Sequence, residues 1–325
     1  MSRTVREHII NALADGNFVS GQDLGEQLKI SRTAISKHIK SLTEMGLDIY
    51  SVTGKGYKLS KPLKLLSKRK IVKSLSQAEE LLEIEVHNII DSTNSYLLRK
   101  LPNQLSQGQV CLAEYQSAGR GRRGREWVSP FGSQIYLSMY WYLEQGLSAA
   151  MGLSLVAALA VSDAIYEITN IEVQLKWPND IYLGEVKLAG ILIDLEGQAL
   201  EPSHSVIGIG LNLNMPDQVA LKIDQNWTDL ESHSNKVIDR NLLSAGLIHF
   251  LHQRLQKQQD EGLSSMLEEW HKQDLYLDKK VKLITGEREI KGICRGVNNQ
   301  GALMLEVGGQ IKPIYGGEIS LRGNE

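Results

Sequence analysis

The hydrophobic period of this chain switches within its first sixty residues, and that switch constrains the fold more than any other feature. Val5, Ile9, Ile10 and Leu13 recur at helical spacing until Asp15-Gly16 breaks the run. Ser20 opens a second short run with Leu24 and Leu28 on one face. After a tight break at Lys29-Ile30, Ser31 begins a third run, in which Ile35, Ile39 and Leu42 face inward and Gly46 ends the pattern. The next segment, IYSVTGKGYKL, alternates with period two on both sides of Gly54-Lys55-Gly56 and reads as a β-hairpin. Three short helices, a tight turn between the second and third, and a trailing hairpin predict a winged helix-turn-helix over residues 1–63.

That unit is basic. Residues 1–73 carry 14 Lys and Arg against 6 Asp and Glu, whereas residues 74–325 carry 22 against 32. The net charge of −2 therefore averages a cationic head with an anionic body, and only the head suits a polyanion. The polar face of the third helix offers Ser31, Arg32, Thr33, Ser36, Lys37 and Lys40, with Lys55 in the hairpin turn. These are donors for base edges and cations for phosphates, so DNA is the expected partner. A protein-binding face is the blander reading of the same residues, and the cationic hairpin favours DNA.

Beyond the head, KPLKLLSKRKIVK (residues 61–73) reads as a basic linker running into a helix. Residues 84–235 alternate strand-like runs (VCLAEY, IYLSMYWYL, VQLKW, LAGILIDL, SVIGIGLNL) with helical stretches at 93–101 and 149–169. Further helices are expected at 239–260 and 263–274. From Lys279 short strands are separated by Gly286-Glu287, Asn299-Gln300-Gly301 and Gly308-Gly309, the pattern of a small β-barrel. The expected divisions are 1–63, 64–274 and 275–325, in an α+β chain. Ala149 to Val161 is the most apolar stretch, but it runs into Ser162 and Asp163 and is too short to span a bilayer. Cys111 and Cys294 can form neither a disulfide framework nor a metal-ligand spacing, and the N-terminus lacks a signal-peptide core. A cytoplasmic protein without a membrane partner or protein-bound metal is expected.

The most unusual stretch is Gly119-Arg120-Gly121-Arg122-Arg123-Gly124-Arg125, followed by Glu126-Trp127. It matches G-x-G-x-x-G formally, but Pro130 and Gly132 follow where a helix should begin, and arginines stand where helix packing needs small groups. A mobile loop closing over several negative charges fits better, since guanidinium forks pair with carboxylate and phosphate. Four other clusters are weak singly. Asp91-Ser92-Thr93-Asn94 resembles an N-cap, and Lys176-Trp177-Pro178-Asn179-Asp180 a turn at a strand end. Lys187-Leu188-Ala189-Gly190 starts an apolar strand, and the glycines of Gly208-Ile209-Gly210-Leu211-Asn212 allow either a ligand's approach or a bulge.

Taken together and in this order, DSTN, Q-x-x-GRGRRGR-x-W, KWPND, KLAGIL and GIGLN make the chain similar to the bacterial biotin protein ligases. The basic head resembles that of the bifunctional subgroup that also represses biotin-synthesis genes. The resemblance extends to GGEISLR near the C-terminus; Val128, after Trp127, stands where the family carries an aromatic. Lipoate ligases share the central fold, but this chain has no counterpart of their R-R-x-S-G-G-G segment.

The resemblance implies an enzyme that activates biotin with ATP as biotinyl-5'-AMP and transfers it to a lysine of a biotin carboxyl carrier domain. Mg²⁺ is expected on the phosphates, mostly through water. A C-terminal SH3-like barrel and a central mixed α/β ligase domain are implied. Ser92, Thr93, Asn94, Gln116, Arg120, Gly121, Arg122, Lys187 and Gly208 are implied for biotin, and Arg122 and Lys187 also serve as the catalytic cations at the reacting anions. Arg123, Arg125, Trp127, Lys176, Asn179, Asn212, Trp227 and Arg322 are implied for ATP or the adenylate. The adenylate-bound form is expected to dimerise on its operator. A non-catalytic biotin-sensing repressor is the rival reading, and the arginine loop and Lys187 speak against it.

Overall fold

The structure, a computed structural model, describes residues 2–76, 79–198, 200–216, 219, 223, 225–285, 288–315 and 319–323. Helices α1 (Ser2–Leu13), α2 (Gly21–Leu28) and α3 (Arg32–Glu44) precede an antiparallel hairpin of β1 (Ile49–Val52) and β2 (Gly56–Leu59). Both expected caps form: Ser20 Oγ accepts from the Gln22 and Asp23 amides, and Ser31 Oγ from Ala34. Lys29, at φ 54°, makes the tight turn between α2 and α3. Gly56 (φ +99°) is required where the hairpin crosses the α1–α2 connection, because a Cβ there would lie 2.2 Å from the Val19 carbonyl oxygen.

The head's core of Ile9, Ile10, Leu13, Leu24, Ile35, Ile39 and Leu42 does not stop at residue 63. Ile89 and Phe131, from the middle of the chain, are buried in it, and the Phe131 amide donates to the Met45 carbonyl at 2.8 Å. The C-terminal end of α3 therefore rests on the segment that follows the arginine loop. The linker is also fastened. Leu63 N donates to Ala14 O (2.8 Å), Leu66 N to the Glu114 carboxylate, and Ser67 N to Asn241 Oδ1 (2.7 Å). Glu114 is fully buried and pairs with the buried Arg240 at 2.7 Å. After this strap comes α4 (Lys68–Lys73).

The middle of the chain forms a seven-stranded mixed sheet from β3 (Ile84–His87), β4 (Val110–Ala113), β5 (Gln134–Leu143), β6 (Gln174–Lys176), β7 (Asp180–Leu183), β8 (Val186–Glu196) and β9 (Ser203–Asn212). The strand order is β3-β4-β5-β9-β8-β7-β6; β3 and β4 are parallel and every other neighbour is antiparallel. Alternation along β5 sorts the two faces. Ile135, Leu137, Met139 and Trp141 join the main core with α6 (Leu153–Thr169) and α7 (Arg240–Glu261), whereas Tyr140 joins a smaller cluster with Leu97 of α5 (Thr93–Leu98). The long apolar helix starts at Leu153 and not at 149: Leu147–Ala150 is a single 3₁₀ turn, and Gly152 at φ 80° sets the helix entry. Similarly, α5 ends at Leu98, and the last expected helix divides into a 3₁₀ turn, Leu263–Met266, and α8 (Leu267–Gln273).

The C-terminal strands β10 (Lys280–Thr285), β11 (Arg288–Val297), β12 (Leu303–Val307), β13 (Gln310–Ile314) and β14 (Ile319–Gly323) form an antiparallel sheet ordered β13-β12-β11-β10-β14. The Gly286-Glu287 turn lies outside the described residues. Val281, Leu283, Cys294, Leu303 and Leu305 are continuous with the main core, and Trp177 Nε1 donates to the Gly301 carbonyl at 3.0 Å. Among the described residues no helix is long and apolar enough to cross a membrane.

Candidate active site

On the α5 side of the sheet a cleft continuous with solvent opens between the arginine loop, the α5 N-terminus and strands β8 and β9. Its polar end is built at the start of α5. Ser92 does cap that helix, accepting from the Ser95 amide, and also lines the cleft beside the buried Thr93 and Asn94. Gln116 Oε1 accepts from the Thr93 amide at 2.9 Å, and Gln116 Nε2 donates to Ser129 Oγ at 3.2 Å. Ser138 of β5 stands 2.7 Å from Thr93 Oγ1. Gly208 makes room for Asn94: a Cβ at 208 would lie 2.2 Å from Asn94 Oδ1.

The arginine loop is a compact turn. Arg120 and Glu126 bridge antiparallel, Gly121 N donates to Arg125 O at 2.7 Å, and Arg122–Gly124 form one 3₁₀ turn with Arg123 at φ 61°. Arg120 forks onto Asp194 of β8, with Nη2–Oδ2 at 2.7 Å. Arg122 Nη1 donates to Asn179 Oδ1 at 2.9 Å. Burial lowers the Arg122 pKa from the ordinary arginine value; the Asp180 carboxylate opposes this, and the Arg123 and Arg125 charges add smaller lowering. Arg123 and Arg125 line the cleft from exposed positions.

Opposite the loop, KWPND turns from β6 into β7. Asn179 is clamped to β8: its Nδ2 donates to Ile191 O at 2.7 Å, and Ile191 N donates back to Asn179 O at 2.9 Å. Asp180 pairs with Lys187 at 2.8 Å, and the Lys187 ammonium lies 5.6 Å from the centre of the Trp127 ring. Lys176 lines the cleft with its ammonium on Tyr182, donating to that hydroxyl at 3.0 Å. Trp127 rests on a platform that only glycine permits. Gly190 and Gly210 are register partners on β8 and β9, and a Cβ on either would come within 3.1 or 2.5 Å of the indole. The indole nitrogen donates to Gln134 Oε1 at 3.3 Å.

The fold thus gathers Ser92, Thr93, Asn94, Gln116, the arginine loop, Trp127, Lys176, Asn179, Lys187 and Gly208 around one cleft. Asn212 and Trp227 are not among its lining residues. Asn212 is buried and donates to Thr228 O (3.0 Å), while Trp227 forms a backbone bridge with Lys187. Arg322 faces Lys282 in the register of β14, and its side chain lies outside the described part of the chain. Asp180, Asp194, Gly190, Gly210 and Gln134 carry the geometry without having been singled out as site residues. Two of the motifs contain their glycines, but nothing local marks a carboxylate that pairs across 74 positions of sequence, as Asp194 does with Arg120. Among the described residues no group of three or more His, Cys, Asp or Glu could hold a metal ion.

On the head, Ser31, Arg32, Thr33, Ser36, Lys37, Lys40 and Lys55 are all exposed. Lys55 and Lys58 approach the half-exposed Phe18 ring, at 5.7 and 5.5 Å from its centre, so the hairpin's cations are gathered at one place.

Comparison with known proteins agrees with this architecture. Residues 5–58 match an HTH domain, residues 86–212 the Biotin/lipoate A/B protein ligase family, and residues 276–322 the Biotin protein ligase C terminal domain. The chain is 48% identical to the bifunctional ligase/repressor BirA of Salmonella typhimurium over 99% of both chains. It is 46% identical to that of Escherichia coli, over 99% of this chain and 98% of the relative. Among solved structures it resembles the biotin protein ligase of Aquifex aeolicus in complex with biotin and ATP, at 31% identity and a TM-score of 0.63, covering 74% of this chain and 99% of that one.

Proposed function

The chain belongs to the biotin protein ligase family, in its bifunctional ligase and repressor branch, and from that membership we propose how its residues divide the work. The protein is a biotin–[acetyl-CoA-carboxylase] ligase that uses ATP, and its winged head makes it a DNA-binding repressor. The observation that carries the reading is the convergence of Arg120, Arg122 and Lys187 on a cleft whose other end offers hydroxyls and an amide.

A carboxylate does not acylate an amine unaided, because oxide is too poor a leaving group. A biotin carboxylate oxygen attacks the α-phosphorus of ATP, the bond to the bridging oxygen breaks, and pyrophosphate leaves with those electrons. Ser92, Thr93, Asn94, Gln116 and Gly208 hold the ureido head, with Arg120 and Gly121 closing that pocket. Arg122 and Lys187 neutralise the two anions that must approach each other, the carboxylate and the α-phosphate. Arg123, Arg125, Lys176 and Asn179 meet the nucleotide, and Trp127 forms the wall between its glycine platform and the adenylate. Asn212 and Trp227 act by holding the segment beside Lys187, and the family resemblance assigns Arg322 to the nucleotide. Mg²⁺ neutralises phosphate charge when bound. Asp180, which lines the cleft, is already paired with Lys187, which fits an ion carried on the phosphates with few protein ligands. In the second half-reaction the acceptor's lysine nitrogen attacks the acyl carbon, the mixed anhydride breaks, and AMP departs with its phosphate stabilised by Lys187.

Residues 1–63 read the operator through α3 and the wing, residues 64–274 perform the chemistry, and residues 275–325 close the nucleotide side. The adenylate-bound protein dimerises, and the enzyme works in the cytoplasm. The test is incubation with labelled biotin, MgATP and a biotin carboxyl carrier domain. Label stable on the acceptor is expected, and adenylate formation without transfer, or no adenylate at all, overturns the ligase reading.

A further inference from the structure

We propose that Asp194 is a positioning residue of biotin activation, whose carboxylate fastens the arginine loop to the floor of the biotin pocket so that both are set as one unit. The inference rests on the ligase reading above. Asp194 is 21% exposed, and its Oδ2 accepts twice: from Arg120 Nη2 at 2.7 Å and from Asn94 Nδ2 at 2.8 Å. Oδ1 receives the second prong of the Arg120 fork at 3.4 Å. One carboxylate thus joins the first cation of the loop to the first turn of α5.

The charge on Asp194 also orders the protons behind it. An ionised carboxylate only accepts, and so does the Leu192 carbonyl, 3.2 Å from the same Asn94 nitrogen. Both protons of the Asn94 amide are then committed, and its Oδ1 must accept from Ser138 Oγ. The Ser138 proton is shared with Thr93 Oγ1, 2.7 Å away, and the Thr93 hydroxyl donates to Gln116 Oε1 at 3.2 Å. With its proton given to Gln116, Thr93 Oγ1 keeps a lone pair, the polarity that an N–H of a cyclic urea requires. The circuit returns to the loop at its far stem: Gln116 accepts from the Thr93 amide and donates to Ser129, whose hydroxyl donates to the Trp127 carbonyl at 2.8 Å. Arg120 and Trp127, the two ends of the arginine loop, are therefore tied to the same polar pocket, and Asp194 is the one charged acceptor in the circuit.

The test uses the full-length protein, biotin and MgATP, with adenylation followed by pyrophosphate exchange and adenylate release followed by chase. Asp194→Asn removes the charge and keeps the size. Because Arg120 is partly exposed, the expected effect is about a fivefold rise in biotin KM and in the adenylate release rate, with kcat within about twofold. In an Arg120→Ala background the same substitution should change KM by less than about twofold, since the cation it pairs with is gone and an amide oxygen at 194 can still accept from Asn94. Should Asp194→Asn not fold, Asp194→Glu and Asp194→Gln form a second charge pair, and Gln should exceed Glu in KM by about fivefold. An unchanged KM, an equal effect with and without Arg120, or a fall in kcat alone overturns the inference. A wild-type protein that forms no biotinyl-adenylate overturns the ligase reading instead.

Discussion

At the scale of single residues, Arg122 is the cation whose removal should cost most. It is half-buried, held by Asn179, and lines the cleft, so a charge-assisted contact from it to a substrate anion would contribute on the order of 2–3 kcal/mol. Arg122→Ala should lower the adenylation rate by roughly 30- to 100-fold and let the intermediate escape. Unchanged pyrophosphate exchange together with full retention of adenylate would remove Arg122 from the machinery. The arginines were legible in the sequence because four cations and three glycines in seven residues have no packing role. Their counter-charges were not. Asp180 is visible only as the end of a turn and Asp194 only as the polar end of an apolar run; the pairs with Lys187 and Arg120 exist because β7, β8 and the loop meet in space. Trp127 shows the same division: its place in the motif was plain, while its seat on Gly190 and Gly210 depends on strand register.

At the scale of elements, the helices and strands of the head follow from local spacing, since each cap bonds within three residues of itself. The entry to α6 does not: apolar residues from Ala149 onward suit a helix, but Gly152 in the left-handed region delays it to Leu153. Helix α7 carries a feature with a measurable consequence. His249 and His252, one turn apart on this helix, face the buried Glu79 carboxylate at 3.2 and 3.9 Å, and His252 packs edge-on against Trp141. Burial lowers the His252 pKa below 6.5 despite the pull of Glu79, and His249 adds to the lowering. For Glu79, burial works upward, but hydrogen bonds from Ser76 and His249 win, and its pKa falls below 4.5. A histidine whose folded pKa is lowered binds fewer protons folded than unfolded, so its contribution is present above the unfolded value and is lost as pH falls below 6.5. Glu79 loses its own contribution only lower, below the unfolded carboxylate range. The melting temperature should therefore decline from about pH 6.5 downward, and His252→Gln should flatten that part of the curve while leaving the Glu79 limb near pH 4 in place. An identical slope in the variant between pH 6.5 and 5 would show that His252 does not titrate with folding.

At the scale of the whole molecule, the compositional division into head, body and barrel is not a division into separate cores. Phe131 and Ile89 enter the head's core, and the segment from Ser129 to Phe131 also carries the hydroxyl that holds Gln116 and the Trp127 carbonyl. Deleting residues 1–60 should abolish operator binding and leave the adenylation kcat within a few-fold, because no cleft residue lies in the head. The biotin KM should rise several-fold as Phe131 loses its cover, and a truncated protein with wild-type KM would show that the contact transmits nothing. The remaining step concerns regulation. One winged helix per chain reads one half-site, so tight binding to a two-fold operator needs two chains. A switch is expected where ligand occupancy changes a surface, and the arginine loop offers one: Arg120 is exposed, and it and Arg122 are held by Asp194 and Asn179, contacts for which a substrate's anions would compete. On the reading proposed above, adenylate that accumulates when acceptor is scarce should engage these cations and favour dimerisation, and abundant acceptor should drain it and return the monomer. Sedimentation with and without biotinyl-5'-AMP measures this directly: the dimerisation constant should strengthen by tenfold or more, about 1.4 kcal/mol, when adenylate fills the site. A constant indifferent to adenylate would leave the head without its switch, and repression would have to follow protein concentration alone.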